Sequence, residues 1–422
     1  MEPSRKILIV VALVFIAAGC RQESPTPPAP ALDYTRELPP GKLALRKLSP
    51  AEYPDFSVMQ TNAADLQRAA ANSALYLSAP SSQRFFPYLD ITHPQAMATA
   101  RDLQRLAAMP TVNWNAEIRA RYDVYQSIGA PNPAGDTYSG QVLFTGYFTP
   151  IYDASLVRAG PYQWPLYKRP ADLVSDDSGD HASRRQISPG APPRQPPPGA
   201  PEMVPLAADN YWTRAEIERD GKLAGQELVW LKSRWEAYVV TIQGSARLRL
   251  TDGRIYEIGF AGTNGHAYVS PGKQMIADGV ISRDQLSLRG LAQYFQEHPQ
   301  AMDQYLWMNP RTTFFTERKG GPYGKLNVPV TPFASIATDK EVYPRAMPAY
   351  VVAKVARPGG GELVPYRGMA FDQDAGGAIR SAGRCDIYMG VGPAAEALAG
   401  QQLSPGQLYY LAIKKELIQG TR

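Results

Sequence analysis

Apolar residues recur at helical spacing in three stretches of the first third of the chain. These are DLQRAAANSALYLSA (Asp65 to Ala79), ARDLQRLAAM (Ala100 to Met109) and WNAEIRARYDVYQSI (Trp114 to Ile128). Each predicts a helix with one face turned toward a core. GQVLFTGYFTPIYDA then reads as a strand, interrupted by Gly146 and stopped by Pro150. TRAEIERDG predicts a further helix, opened by a capping box of Thr213 with Glu216. From Tyr238 the period shortens to two: YVVTIQGSARLRL and RIYEIGFAG flank Thr251-Asp252-Gly253, a hairpin with an Asp-Gly turn. ISRDQLSLRGLAQYFQEHP returns to helix. After NPRTTFF come KLNVPVTPFASIATD, AYVVAKVA, ELVPYRGMAFDQD, CDIYMGVG and GQLYYLAIKK. Short, closely spaced strands of this kind predict a mainly β fold built on a small closed barrel, with the early helices peripheral.

Length and composition change this picture in two places. At 422 residues the chain has room for two or three domains, and 39 prolines imply long loops or linkers. The densest run, SPGAPPRQPPPGAPEMVP from Ser188 to Pro205, predicts a surface loop. A net charge of +5, without a basic run interleaved with aromatics, argues against nucleic acid as a partner. At the N-terminus, Arg5 and Lys6 precede twelve apolar residues, Ile7 to Ala18, too few to span a bilayer comfortably. The sequence AAGC ending at Cys20 resembles a bacterial lipobox. Residues 1–19 are therefore expected to be a signal peptide, Cys20 a lipidated residue, and residues 20–43 an extended tether, with a plain secretory signal and a chance cysteine as the alternative. Arg21, in place of an aspartate, points to the outer membrane. Lipidation of Cys20 leaves Cys385 unpaired, a small buried hydrophobe with no disulfide.

Candidate chemistry narrows quickly. The four histidines, His93, His181, His266 and His298, are far apart and show no metal-ligand spacing, so no metal is expected. The chain has no GxSxG elbow, P-loop or GxGxxG element, so neither a triad hydrolase nor a nucleotide cofactor is expected. Carboxylates in the β-rich C-terminal region remain. Asp374 precedes AGGAI, where Gly376 and Gly377 permit close approach of backbone or a tight bend. Asp386 lies within CDIYMG and can point to one face of a strand. A poorly solvated carboxyl with a second one nearby keeps its proton toward neutral pH and can serve as a general acid. The same residues can equally cap turns and bind backbone amides; spacing alone leaves both readings open.

The stretch DAGGAIRSAGRCDIYMGVG resembles the aspartate-rich "3D" motif of the membrane-bound lytic murein transglycosylase A family. FTGYFTPIYDA, GFAGTNGHAYVSPGKQMI, NPRTTFF and VPVTPFASIATD are similar as well, in one order from about Leu143 to the C-terminus. The resemblance implies a double-psi β-barrel formed by residues 44–144 and 319–422, interrupted by a smaller β-barrel at residues 145–318, with a glycan groove between them. It places the three aspartates at Asp339, Asp374 and Asp386. Asp386 would be the catalytic acid, Asp374 a residue that holds or tunes the site, and Asp339 structural. Gly146, Tyr147, Thr149, Asn264, Gly265, Gly376 and Gly377 would lie on or near the groove. An arginine common before the first aspartate is absent from TPFASIATD, and the gap between Asp374 and Asp386 is slightly enlarged.

The implied reaction cleaves the β-1,4 bond between N-acetylmuramic acid and N-acetylglucosamine, with the muramic C6 hydroxyl attacking C1 to give a 1,6-anhydro product. No cofactor is implied. The implied partners are peptidoglycan strands, outer-membrane lipid through acylated Cys20, and cell-wall synthesis or division proteins. The implied location is the periplasmic face of the outer membrane of a Gram-negative bacterium. Three other readings stand beside this one: a two-carboxylate hydrolase, a non-catalytic murein-binding lipoprotein, and a protein that only spaces the envelope.

Overall fold

Two β-systems are built from one chain that leaves the first, completes the second, and returns. The computed structural model describes residues 32–133, 137–175, 183–185 and 211–419. The expected signal peptide, Cys20 and the Ser188–Pro205 loop lie outside the described residues. Among those residues, no helix is long and apolar enough to cross a membrane.

Strands β1 (Leu45–Lys47), β2 (Tyr122–Ser127) and β3 (Val142–Thr149) come first. The chain then forms β4 (Ile151–Ser155), β5 (Trp164–Tyr167), a ribbon of β6 (Leu173–Ser175) with β7 (Ser183–Arg185), β8 (Glu227–Leu231), β9 (Ser245–Leu250), β10 (Ile255–Thr263) and β11 (Thr313–Glu317). It returns as β12 (Ser335–Ala337), β13 (Pro348–Val355), β14 (Val364–Asp374), β15 (Arg384–Val391) and β16 (Leu403–Ile413). The returning strands and β3 are hydrogen-bonded in the order β16-β13-β14-β12-β15-β3, and the pairing of β16 with β3 closes this ring into a six-stranded barrel. β2 and β1 extend from β16. The second sheet runs β11-β10-β9-β4-β8-β5, and a single bridge between Lys168 and Phe315 joins its two edges. Closure of this kind removes exposed edges that would otherwise template aggregation.

Helices α1 (Ala63–Ser78), α2 (His93–Ala107) and α3 (Trp114–Arg121) lie against the barrel side. The Asn62 side chain caps α1, and Thr92 with Gln95 forms a capping box on α2. Buried polar bonds, not only apolar burial, dock these helices. Gln95 donates to the carbonyl of Ile413 at 3.1 Å, the amide of Ile413 donates to Thr99 at 2.9 Å, and Gln373 donates to the carbonyl of Ala69 at 2.6 Å. Leaving any of these groups unpaired in the interior would cost about 1–3 kcal/mol, so they fix the strands' depth and register as well as adding stability. On the insertion side are α4 (Arg214–Glu218), α5 (Arg234–Gln243), α6 (Pro271–Ala277), α7 (Leu288–Glu297) and α8 (Ala301–Met308), with α9 (Pro393–Gln401) between the last two barrel strands. A barrel core containing Phe144, Ile336, Tyr350 and Tyr410 is distinct from an insert core containing Ala154, Val229, Leu248 and Phe315.

Two expectations from periodicity are corrected. Trp114 to Ile128 is not one helix: it turns to strand at Tyr122, because β2 is recruited between β1 and β16. Tyr238 to Gln243 is not strand but the last part of α5, ended by Gly244 in the left-handed conformation. The hairpin across Asp252-Gly253 forms as expected, with Ile255 opposite Arg249.

Candidate active site

Three adjacent strands bring the two candidate carboxylates to one place. Ala337 on β12 pairs with Asp374 of β14 on one side and with Asp386 of β15 on the other, and Asp386 in turn pairs with Thr145 of β3. Two strand spacings, about 10 Å, therefore separate the backbones of the two aspartates. Both line a groove of about 280 Å³ between the barrel and the insert. The barrel supplies Thr145, Gly146, Tyr147, Asp374, Gly376 and Asp386; Arg214, Thr241, Tyr268 and Arg311 face them from the insert.

Asp386 is held by its neighbours on β3 and β15. The Thr145 hydroxyl donates to its Oδ1, while Nη2 of Arg384 donates to Thr145 at 3.0 Å and stands 3.6 Å from the same carboxylate oxygen. About one sixth of each charged side chain remains exposed, 16% for Asp386 and 17% for Arg384. Arg384 lies two residues before Asp386 on one strand, so alternation puts both on the same face. Its Nε is buried without a hydrogen-bond partner among the described residues.

Asp374 is different. Its Oδ1 accepts from the amides of Lys325 at 2.6 Å and Ala375 at 2.8 Å. Part of its surface reaches the groove, but protein atoms crowd it on all other sides. Burial pushes its carboxyl up to about 6, against the opposing pull of those two amides. The hydroxyl of Tyr147, itself buried although the residue as a whole is only half-buried along the groove, aims at the same carboxyl but forms no hydrogen bond of good geometry with it. Burial, with Asp374 beside it, pushes that phenol well above its ordinary range.

The other candidate residues separate into those that face the groove and those that support it. Gly146 lines the groove on one side, and on the other a Cβ would come within 2.9 Å of the Ala399 Cα on α9. A glycine there lets the helix seat on the strand. Gly376 and Gly377 also line the groove. The space a Gly377 side chain would take belongs to Arg311, whose Nε would lie 2.7 Å from a Cβ, so this glycine lets the arginine pack against the groove wall.

Thr149 is buried behind the groove wall, bonded to Ser245 at 3.1 Å and Tyr388 at 3.0 Å. Asn264 is fully buried: it donates to the carbonyls of Trp212 and Pro310 and accepts from the amide of Thr312. Gly265 follows it in the left-handed conformation, φ +78°, at a bend that does not line the groove. Thr149 and Asn264 therefore brace the wall instead of touching its contents. Asp339 is likewise buried away from the groove. It accepts from the amides of Ser381 and Glu341 and stands 3.5 Å from Arg380, pinning the loop that leads into β15.

Sequence reasoning passed over Thr145, Arg384, Arg214, Arg311 and Asp372. Thr145 and Arg311 lie inside stretches already singled out, FTGYFTP and NPRTTFF, but their roles depend on partners far away in sequence. Asp372 is fully buried in the barrel with Lys340 as its ion-pair partner, and accepts from Thr338 at 2.6 Å and Tyr410 at 2.7 Å. Burial pushes Asp372 up and Lys340 down from their ordinary ranges. Cys385, expected as a buried thiol, is fully buried, and burial pushes it well up. Among the described residues no three His, Cys, Asp or Glu side chains gather as a metal site.

Comparison with known proteins returns one family over both parts of the fold. A model of the MltA specific insert domain matches residues 143–316, and a model of the 3D domain matches residues 334–412. Membrane-bound lytic murein transglycosylase A of Escherichia coli is 28% identical over 293 residues, 68% of this chain and 69% of that protein. The Vibrio cholerae protein of the same name is 26% identical over 298 residues, 69% and 71% of the two chains. Among solved structures, a membrane-bound lytic murein transglycosylase from Agrobacterium tumefaciens superposes with a TM-score of 0.69 at 22% identity, covering 90% of this chain and all of that one. E. coli MltA with bound chitohexaose gives 0.62 at 22% identity over 92% and 98% of the two chains. These structural likenesses concern the fold.

Proposed function

The chain belongs to the membrane-bound lytic murein transglycosylase A family, and from that premise we propose how its groove cleaves peptidoglycan. It is a lytic transglycosylase, and its substrate is the glycan strand, lying between barrel and insert across Asp386. The observation that carries this reading is the placing of Asp386: a partly exposed carboxyl on the groove floor, with one oxygen already occupied by the Thr145 hydroxyl.

Because Thr145 donates to Oδ1 and its own oxygen accepts from Arg384, a proton held by Asp386 sits on Oδ2. That is the oxygen left to face a ligand. In the proposed step Oδ2–H donates to the departing O4 of N-acetylglucosamine as the C1–O4 bond breaks. The carboxylate then accepts the proton of the muramic C6 hydroxyl as its oxygen bonds to C1, giving the 1,6-anhydro product. Tethering of that hydroxyl to the reacting sugar supplies an effective concentration of about 10⁵ M or more when it is well oriented. One acid–base group therefore suffices, where an ordinary glycosidase needs a second carboxylate to activate water or form a covalent intermediate. Asp374, held rigid by two backbone amides and ionised above about pH 6, favours the positive charge that develops on the sugar ring.

Digestion of purified sacculi with wild type and Asp386→Asn, followed by mass spectrometry, tests this directly. Wild type should release anhydro-muropeptides, and the variant, with unchanged thermal unfolding, none. Products heavier by one water would move the reaction to hydrolysis, and turnover by the variant would remove Asp386 from the acid's role. The outer-membrane location and the acyl anchor at Cys20 are part of the same proposal; radiolabelled palmitate incorporated by wild type and not by Cys20→Ala is the expected result.

A further inference from the structure

A second cleft, of about 460 Å³, opens on the insert away from both aspartates. Three of the chain's six tryptophans line it, whereas none lines the active groove. They arrive from three elements. Trp164 begins β5, Trp230 lies on β8, where it pairs with Pro165, and Trp307 closes from α8. The rings are set by cations. The Arg234 guanidinium lies 5.6 Å from the Trp164 ring and 4.8 Å from that of Trp307, and Arg158 lies 5.3 Å from Trp230. Trp164 nevertheless keeps 40% of its surface exposed at the lip. A large flat apolar surface left in water and held rigid from behind suits a ligand that brings its own flat apolar face.

The rest of the lining mixes apolar side chains such as Leu166, Ile217 and Leu306 with polar groups that are held in place. Glu218, an exposed residue of the lining, accepts from Trp307 Nε1 at 3.0 Å, from Arg234 at 3.2 Å and from Arg214 at 3.1 Å. Gln163 and Glu227 add a planar amide and a carboxylate at the rim. Glu218, Gln163 and Glu227 keep part of their surface in water beside these internal bonds, and a wholly apolar ligand would strip that water without replacing it, which disfavours it. A sugar ring satisfies both halves: its C–H face stacks on indole, and its equatorial hydroxyl and acetamido groups bond to planar side chains.

We propose that this cleft is a second glycan site, taking a β-1,4-linked N-acetylhexosamine oligosaccharide. The choice of that sugar class over other saccharides rests on the reading of the groove given above. The cleft and the groove stand back to back, with Arg214, Thr241 and Thr313 contributing to both walls. A chain bound in the cleft holds the enzyme on its polymeric substrate while a neighbouring strand is cut, by raising local concentration.

The absence of tryptophan from the groove gives a selective readout. The Asp386→Asn chain, labelled with 5-fluorotryptophan and assigned by single Trp→Phe variants, is titrated with chitohexaose to millimolar concentration and followed by ¹⁹F NMR, with calorimetry reporting total binding. The resonances of Trp164, Trp230 and Trp307 should move together. Adding Trp164→Ala, a substitution at an exposed lip, should abolish the shifts of the other two and remove one of two calorimetric events. Resonances that stay still while calorimetry reports binding would overturn the proposal, as would equal movement of Trp114, which lies on the barrel side. Sacculi left undigested by wild type, with the cleft resonances still responding, would remove the catalytic reading and leave this site standing.

Discussion

Replacing Asp374 with asparagine should make the protein more stable at neutral pH and slower as an enzyme. The carboxyl is pushed from 3.8 up to about 6 by burial, so the folded state binds the proton more tightly than the unfolded chain does. Below about pH 4 both states hold the proton and the group costs nothing. As pH rises through this window the unfolded chain releases its proton first, and above about pH 6 the full penalty is present. A shift of that size corresponds to about 3 kcal/mol. Asparagine is nearly isosteric, and its oxygen can still accept from the Lys325 and Ala375 amides. The attraction of the carboxylate to Lys340 is already contained in that net shift. Urea titrations of both proteins from pH 4 to pH 8 measure the difference. It should be near zero at the acid end, grow in favour of Asp374→Asn, and level off near pH 7. Curves that remain parallel across that range would refute the claim that burial at this site opposes ionisation. On sacculi the same variant should lose rate above pH 6, where only the wild type carries the charge.

Thr145→Val removes the donor to Asp386 and frees Arg384 from its bridge; kcat on sacculi should fall about tenfold or more, with Thr145→Ser restoring most of it. Failure of the serine to rescue would place the effect in packing. Lys340→Met leaves the Asp372 carboxyl buried without its cation, with the Thr338 and Tyr410 hydroxyls as its remaining partners among the described residues. It should cost about 3–5 kcal/mol in urea unfolding at neutral pH, and a second substitution, Asp372→Asn, should recover much of that; no recovery would mean the lysine's stem, not its charge, is what the barrel needs.

Legibility in the sequence followed the range of the interactions. Alternation and closely spaced turns in the last hundred residues were enough to predict short β-strands, because strand period and turn chemistry are local. Pairing partners are not local, and this is why Tyr122 to Ser127 read as helix: its residues fit a helical period until β1 and β16 claim them. At Tyr238 to Gln243 the run of valine and isoleucine suggested strand, yet the Ser233 cap and Gly244 stop hold it in helix. The glycine pair and the apolar strand pointed to Asp374 and Asp386. The poorly solvated, raised carboxyl is Asp374, whereas a hydroxyl and a guanidinium attend Asp386. Thr145 could not be assigned a role without the parallel pairing of β3 and β15. Arg384 could have been: it sits two residues from Asp386, on the same face of a strand already identified. The resemblance sets Asn264 and Thr149 on or near the groove; the backbone turns both inward to satisfy buried amides and hydroxyls.

The bond between Thr145 and Asp386 spans 241 residues. A chain emerging N-terminus first has β3 long before β15, and it completes the insert between them with the acid still missing. Local contacts reward folding early, and those that close long loops come late. A half-made molecule can therefore present a finished insert and an unarmed floor, and the power to open the wall appears only when the last strands come home.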